Sequence, residues 1–188
     1  PSFDSYRNEL SRILEKIEEN DIKQGGQMIQ KAWKTGQQIL TCGNGGSAST
    51  ASHFITDWAK MAFLASKQPF YGICLNDNIG MLTAYGNDLS YAEVFSHAVE
   101  NYAKPDDLLV VVSGSGNSPN IINAVTAARG KNVKTLAICG FDGGEVKRLA
   151  DHSVWIPSQD MQICEDCHLV FGHFVMKLLT NDSLTISS

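Results

Sequence analysis

Two short segments concentrate glycine and serine where a strand hands over to a helix: TCGNGGSAST at 41–50 and VVSGSGNSPN at 111–120. Glycine lets the backbone approach a ligand closely and adopt positive φ without steric cost. Serine hydroxyls and the free N–H groups of the following helix then face an anion, assisted by the helix dipole. The second segment carries Ser113, Ser115 and Ser118 with no Lys or Arg among them. Neutral donors of that kind suit a phosphomonoester. Neither segment is followed by Gly-Lys-Ser/Thr, and neither has G-x-G-x-x-G spacing, so mononucleotide and dinucleotide loops are excluded. Either turn alone serves equally well as a tight turn with a serine cap; the pair points to phosphate binding.

A second set of groups can handle protons or a metal. His53 and Asp57 are i, i+4 on an expected helix, about 40° apart around its axis, and so face one way. Such a pair on its own makes a local hydrogen bond; its place just after the first glycine turn gives it a further use. Glu165 and His173 are eight residues apart, about 12 Å along an ideal helix. Glu165 with His168 offers the closer i, i+3 alternative, a Glu-x-x-His spacing found in metal-binding bundles. Two imidazoles and two carboxylates form a donor set that suits zinc. Cys164-Glu-Asp-Cys167-His168 also spells C-x-x-C-H, a haem-attachment pattern that reads as coincidence inside an α/β alternation. Its two thiols remain an alternative zinc pair. His97 and His152 have no companions at useful spacing, and Asn181-Asp-Ser is a formal glycosylation sequon without consequence in a cytoplasmic chain.

The elements that would position these groups follow from periodicity. Phe3, Tyr6, Leu10, Ile13, Leu14 and Ile17 recur at helical spacing, with Asp4 or Ser5 as a cap. A second helix is expected from about Asp21 to Lys34. Strands are expected at 38–42, 70–75, 107–112, 133–139 and 152–157, with helices around 48–66, 79–103, 117–130, 144–150 and 161–180. Strands alternating with helices predict a parallel sheet covered on both faces. The fold class is therefore α/β: a three-layer αβα sandwich of five parallel strands, preceded by two helices in 1–36, with residues 1–188 as one domain. Ligands of such sheets bind beyond the carboxyl ends of the strands, where both turns fall. The apolar surface of the two leading helices suits either a partner subunit or the same subunit.

Bulk properties narrow the class. The chain has 188 residues, 43% hydrophobic and 19% charged, with a net charge of −5. No basic field advertises nucleic acid or anionic lipid, so an anionic ligand must be held by local groups. The opening PSFDSYRNEL lacks the pattern of a secretory signal, and no apolar run reaches the roughly 18 residues of a membrane span. The five cysteines are too few and too scattered for a disulfide scaffold; Cys42, Cys74 and Cys139 fall in expected strands as small hydrophobes. A cytoplasmic location is expected.

Four blocks taken in order, CGNGGSASTASHF, the GND at 86–88, SGSGNSPN and the carboxy-terminal helix with its histidines, resemble phosphoheptose isomerases of the sugar isomerase (SIS) superfamily. The likeness extends from the first helix to about residue 180. It implies a flavodoxin-like, homotetrameric enzyme that converts sedoheptulose 7-phosphate to D-glycero-D-manno-heptose 7-phosphate by aldose–ketose isomerisation. It also implies substrate contacts from Asn44, Gly45, Gly46, Ser47, Asn87 and Asp88, with phosphate held by Ser113, Gly114, Ser115 and Ser118. His53, Asp57, Glu165 and His173 align with the ligands of one zinc ion per subunit. Asp57 and Glu165 also face substrate, and Asp57 and His173 are the acid–base pair. This chain departs from the pattern in having Asp57 for Glu, Glu165 for Gln, Gly114 for Thr, Asn78 for Asp and Met61 for Arg, and in the run Met161 to Cys164. Two rivals stand beside this reading: a non-catalytic SIS adaptor or sensor, and an isomerase of another phosphosugar.

Overall fold

A computed structural model describes residues 2–184, with side chains to residue 180. Two helices lead, α1 (Phe3–Leu14) and α2 (Glu19–Lys34), followed by strand β1 (Ile39–Gly43) and the long helix α3 (Gly46–Ser66). Then come β2 (Gly72–Cys74), α4 (Ile79–Asp88), a 3-10 turn (Tyr91–Glu93) and α5 (Val94–Tyr102). The remainder is β3 (Leu108–Ser113), α6 (Pro119–Gly130), β4 (Lys134–Cys139), α7 (Gly144–Leu149), β5 (His152–Trp155) and α8 (Met161–Leu184).

The five strands form one parallel sheet in the order β2-β1-β3-β4-β5. Alternate residues of each strand feed opposite faces, as a two-residue side-chain period requires. Ile39, Val110, Val112, Leu136 and Val154 join the core beneath α1, α2, α3 and α8. Leu40, Cys42, Leu109, Val111 and Ala137 join the core beneath α5, α6 and α7. Both cores are needed because both sheet faces are apolar, and that settles the three-layer arrangement.

The leading helices bury part of their apolar surface within the same chain: Ile13, Ile29, Ala32 and Trp33 enter the core, whereas Phe3 stays exposed. Ser2, rather than Asp4 or Ser5, is the N-cap of α1; its Oγ accepts from Ser5 N, and Ser5 returns the bond in a capping box. Gly25 and Gly26 of α2 let that helix settle against Val154, Phe171 and Leu178. The helical stretch expected over 79–103 is broken after Asp88, where Leu89 leaves helical geometry (φ −121°, ψ −92°) and the chain re-enters through the 3-10 turn. Apolar spacing continues across this break through Leu89, while the turn-favouring residues Gly86, Asn87, Asp88 and Ser90 flank it.

Strand order reverses between β1 and β3, which are neighbours paired from Ile39–Leu108 to Gly43–Val112. Their carboxyl ends lie side by side at the sheet's switch point. That is where the two glycine–serine turns begin.

Candidate active site

The first turn is built to hold backbone close to whatever binds there. Gly45, the N-cap of α3, has φ +56° and ψ −125°, a conformation that penalises any side chain. Asn76 pins the end of β1 from the side: its Oδ1 accepts from Gly43 N at 3.1 Å and its Nδ2 donates to Gly43 O at 3.0 Å. The first-turn N–H groups of α3 thereby have a fixed origin.

In the second turn, serine hydroxyls accept from the turn's own backbone. Ser113 Oγ accepts from Gly116 N at 3.1 Å, and Ser115 Oγ accepts from Asn117 N at 3.2 Å. Each hydroxyl keeps its own proton for an outside acceptor. Ser118 is the N-cap of α6 but makes no side-chain cap bond, so its hydroxyl is also uncommitted to the helix.

These turns share one cavity of about 280 Å³. Asn44, Gly45, Gly46 and Ser47 line one side, and Ser113, Gly114, Ser115 and Ser118 the other. Met161 and Glu165, from the first turns of α8, close it. The Glu165 carboxylate lies against Gly46: a Cβ there would stand 2.3 Å from Glu165 Oε1. A Cβ on Gly114 would stand 2.4 Å from Met161 Sδ. A larger cavity of about 360 Å³ opens among Lys31, Thr35, Asp106 and Lys134, at the amino ends of the strands and away from both turns.

Further along α3, His53, Asp57 and His173 bring three ligand atoms within 4.8 Å of one another. His53 Nε2 is 3.1 Å from His173 Nε2 and 3.3 Å from Asp57 Oδ2, and His173 Nε2 is 3.8 Å from the same oxygen. The His53–Asp57 pair comes from one face of α3, as its spacing predicts; His173 arrives from α8 packed alongside. Two imidazoles and a carboxylate converging on one point, each partly open to solvent, fit a three-ligand zinc site with a free position. Gly46, in the cavity wall, and His53, in the trio, are seven residues apart on α3, about 10 Å along the helix and on the same side of it.

Of the four metal ligands that the resemblance implies, three converge in the trio; the fourth, and the alternatives read from spacing, lie elsewhere. Glu165 is outside the trio and faces the turn cavity, because eight residues of helix separate it from His173. His168, the alternative partner, is buried with both ring nitrogens unpartnered. Burial pulls its pKa down to about 4, which keeps it neutral and inside the core. Cys164 and Cys167 are buried free thiols; burial raises both, Cys167 to about 12, so neither is poised as a thiolate for zinc or haem. Asn87 and Asp88 sit exposed at the end of α4, where Asn87 Nδ2 donates to Asp88 Oδ1 at 2.9 Å. Neither lines the cavity.

With this geometry in place, similarity to known proteins becomes informative. Residues 4–140 match the SIS domain family. A phosphoheptose isomerase from Aliarcobacter butzleri is 34% identical over 96% of this chain and 94% of its own length. The chain belongs to the phosphoheptose isomerase family. Another family member, from Helicobacter pylori, is 35% identical over 92% of this chain and 89% of its own. The solved phosphoheptose isomerase of Neisseria gonorrhoeae superposes with a TM-score of 0.87 at 29% identity, over 95% of this chain and 96% of that one. It is thus a family of enzymes, isomerases, on a five-stranded SIS fold. Here the Met161 thioether takes the room that a side chain at position 114 would need.

Among the cavity-lining residues, Met161 was named from sequence only as part of a departing run and given no place in the site. No helix among the described residues is long and apolar enough to cross a membrane.

Proposed function

We propose that this chain is a zinc-assisted aldose–ketose isomerase of sugar phosphates, acting on sedoheptulose 7-phosphate to give D-glycero-D-manno-heptose 7-phosphate. The observation that carries it is the pairing of a serine-lined cavity, walled on one side by Glu165, with a His53–Asp57–His173 trio about two helical turns away, in a family of isomerases. Ser113, Ser115, Ser118 and the first N–H groups of α3 and α6 hold the phosphate; Asn44 and Glu165 face the sugar, and Asn87 and Asp88 contact it from outside the cavity wall. Asp57 takes a proton from C1, and the O2 oxygen is protonated, giving an enediol. Asp57 then returns a proton to C2 while the O1 proton leaves, so the carbonyl moves from C2 to C1 with atoms balanced. His173 carries the oxygen-bound proton between O2 and O1. Asp57 has a second carboxylate oxygen and His173 a second ring nitrogen, so each can serve the cation and still exchange a proton. Zinc held by His53, Asp57 and His173 supplies Lewis-acid polarisation of the carbonyl when bound.

One observation favours a second reading, an isomerase of a different phosphosugar. Met161 and the Glu165 carboxylate reshape the cavity wall and add an acceptor that sugar hydroxyls can use. A panel of ketose phosphates incubated with zinc-loaded protein in deuterated water separates the two. Sedoheptulose 7-phosphate is expected to gain carbon-bound deuterium fastest. Exchange with another ketose phosphate alone favours the second reading, and exchange with none removes the enzyme reading and leaves a phosphosugar-binding adaptor. We further propose a cytoplasmic homotetramer, checked by light scattering and fractionation.

A further inference from the structure

Three side chains at the rim of the cavity saturate one another. Asn44 Nδ2 donates to Asn120 Oδ1 at 2.9 Å, and Asn120 Nδ2 donates back to Asn44 Oδ1 at 2.8 Å. Tyr91 Oη donates to the same Asn44 Oδ1 at 2.9 Å. Both lone pairs of the Asn44 carbonyl oxygen are therefore used, while its nitrogen keeps one free N–H. Because Asn44 lines the cavity, what it can offer a ligand is a donor and nothing else.

The two supporting side chains are themselves held by α6. Asn120 is buried at 2% exposure in the first turn of that helix. The 3-10 turn carrying Tyr91 is tied to α6 through Asn123, whose Nδ2 donates to Ala92 O and Glu93 Oε1, each at 3.1 Å. Ser96 Oγ donates to the other carboxylate oxygen of Glu93 at 2.7 Å, fixing the turn from α5 as well. Tyr91 is 54% exposed, so packing does not account for its orientation; its hydroxyl is committed to Asn44.

We infer that Asn120 and Tyr91 are positioning residues that lock the Asn44 amide so that it presents a single N–H to an acceptor oxygen of the bound phosphosugar. The inference rests on the phosphosugar reading above. Released from either support, the amide can turn its oxygen toward the ligand. That exchanges an attraction for a repulsion against a phosphate or carbonyl oxygen.

The test is a double-mutant cycle read in binding. Calorimetry with sedoheptulose 7-phosphate is run on wild type, Asn44→Ala, Tyr91→Phe and the double variant. Tyr91→Phe is expected to weaken binding about two- to tenfold, the span of one neutral hydrogen bond, and to have no further effect once Asn44 is alanine. Equal losses in both backgrounds would overturn the inference, because Tyr91 would then act on the ligand directly or through the fold. A second cycle, Asn44→Ala with Asn120→Ala followed by urea denaturation, needs no ligand; additive effects there would show that the amide pair does not form and would also overturn it. Deuterium exchange is measured separately. Wild type that binds without exchange sinks the isomerase reading and leaves the cycle intact, whereas wild type that binds no ketose phosphate sinks both.

Discussion

The backbone of Gly172 in α8 lies against the ring of Phe54 in α3, so closely that a Cβ at Gly172 would stand 2.1 Å from Phe54 Cε1. Trp58 Nε1 donates to Gly172 O at 2.9 Å, and the Trp58 ring stacks on Phe54 with centroids 4.7 Å apart. All of this is buried. The contact sets how near α3 and α8 can come, and the neighbouring residues on those helices are His53 and His173, whose ring centroids are 5.4 Å apart.

Gly172→Ala is therefore expected to damage fold and metal site together. Overpacking a dense core costs about 1–3 kcal/mol, and relief by separating the helices pulls His173 from His53. Urea denaturation is expected to show the loss of stability, and competition titration a fall in zinc affinity of about tenfold or more. Unchanged zinc affinity in a destabilised protein would mean that the helix contact does not set the ligand spacing.

Ser118→Ala separates phosphate binding from helix capping. Because Ser118 makes no side-chain cap bond, its loss is expected to leave the melting temperature nearly unchanged. Affinity for a phosphosugar should fall about tenfold through one lost charge-assisted hydrogen bond. Ser113→Ala is expected to lower both, since Gly116 N then loses its partner in a buried turn. Calorimetry beside thermal melts distinguishes the two serines.

Glu165→Gln removes a negative charge from a cavity expected to hold an anion. Phosphosugar affinity is expected to rise about tenfold, as befits one like-charge contact a few ångströms away in a partly solvated site. Zinc stoichiometry by elemental analysis should stay the same, since Glu165 lies outside the trio. A loss of zinc would instead return Glu165 to the ligand set.

Acid should destabilise the fold through His168. Its folded pKa of about 4 lies below the ordinary value of 6.5, so the unfolded chain binds the extra proton. The stabilisation is complete above about pH 6.5 and drains away as pH falls towards 4, by about 3 kcal/mol in all. Denaturation midpoints across that window should flatten in His168→Leu. An equally steep slope in the variant would assign the acid sensitivity to other groups.

Much of this architecture could be read before any coordinates. Leu108 to Val112 is continuously apolar, which fits a strand buried on both faces, and it is one. The glycines of CGNGGS and SGSGNS mark turns that demand unusual backbone, and a doubly wound sheet places such turns together. His53 and Asp57 are brought together by the helical repeat alone, so their shared face was legible too.

The break between α4 and α5 was not read, because apolar spacing through Leu89 outweighed its signal, the turn-favouring residues Gly86, Asn87, Asp88 and Ser90. Which of its two implied neighbours Glu165 meets, the trio or the turn cavity, was not legible either. Rise along α8 separates it from His173, but only the packing of α8 on α3 decides that its carboxylate meets Gly46.

Sequence alone determined the alternation of strands and helices, hence a parallel sheet, and the chemistry of the two turns, because these follow from local periodicity and backbone sterics. Tertiary structure alone decided that Gly172 admits Phe54, that Met161 fills the space beside Gly114, and that Tyr91 and Asn120 meet at Asn44. Such contacts join residues tens of positions apart. They depend on the distance and rotation between packed elements, and no spacing within one segment encodes those.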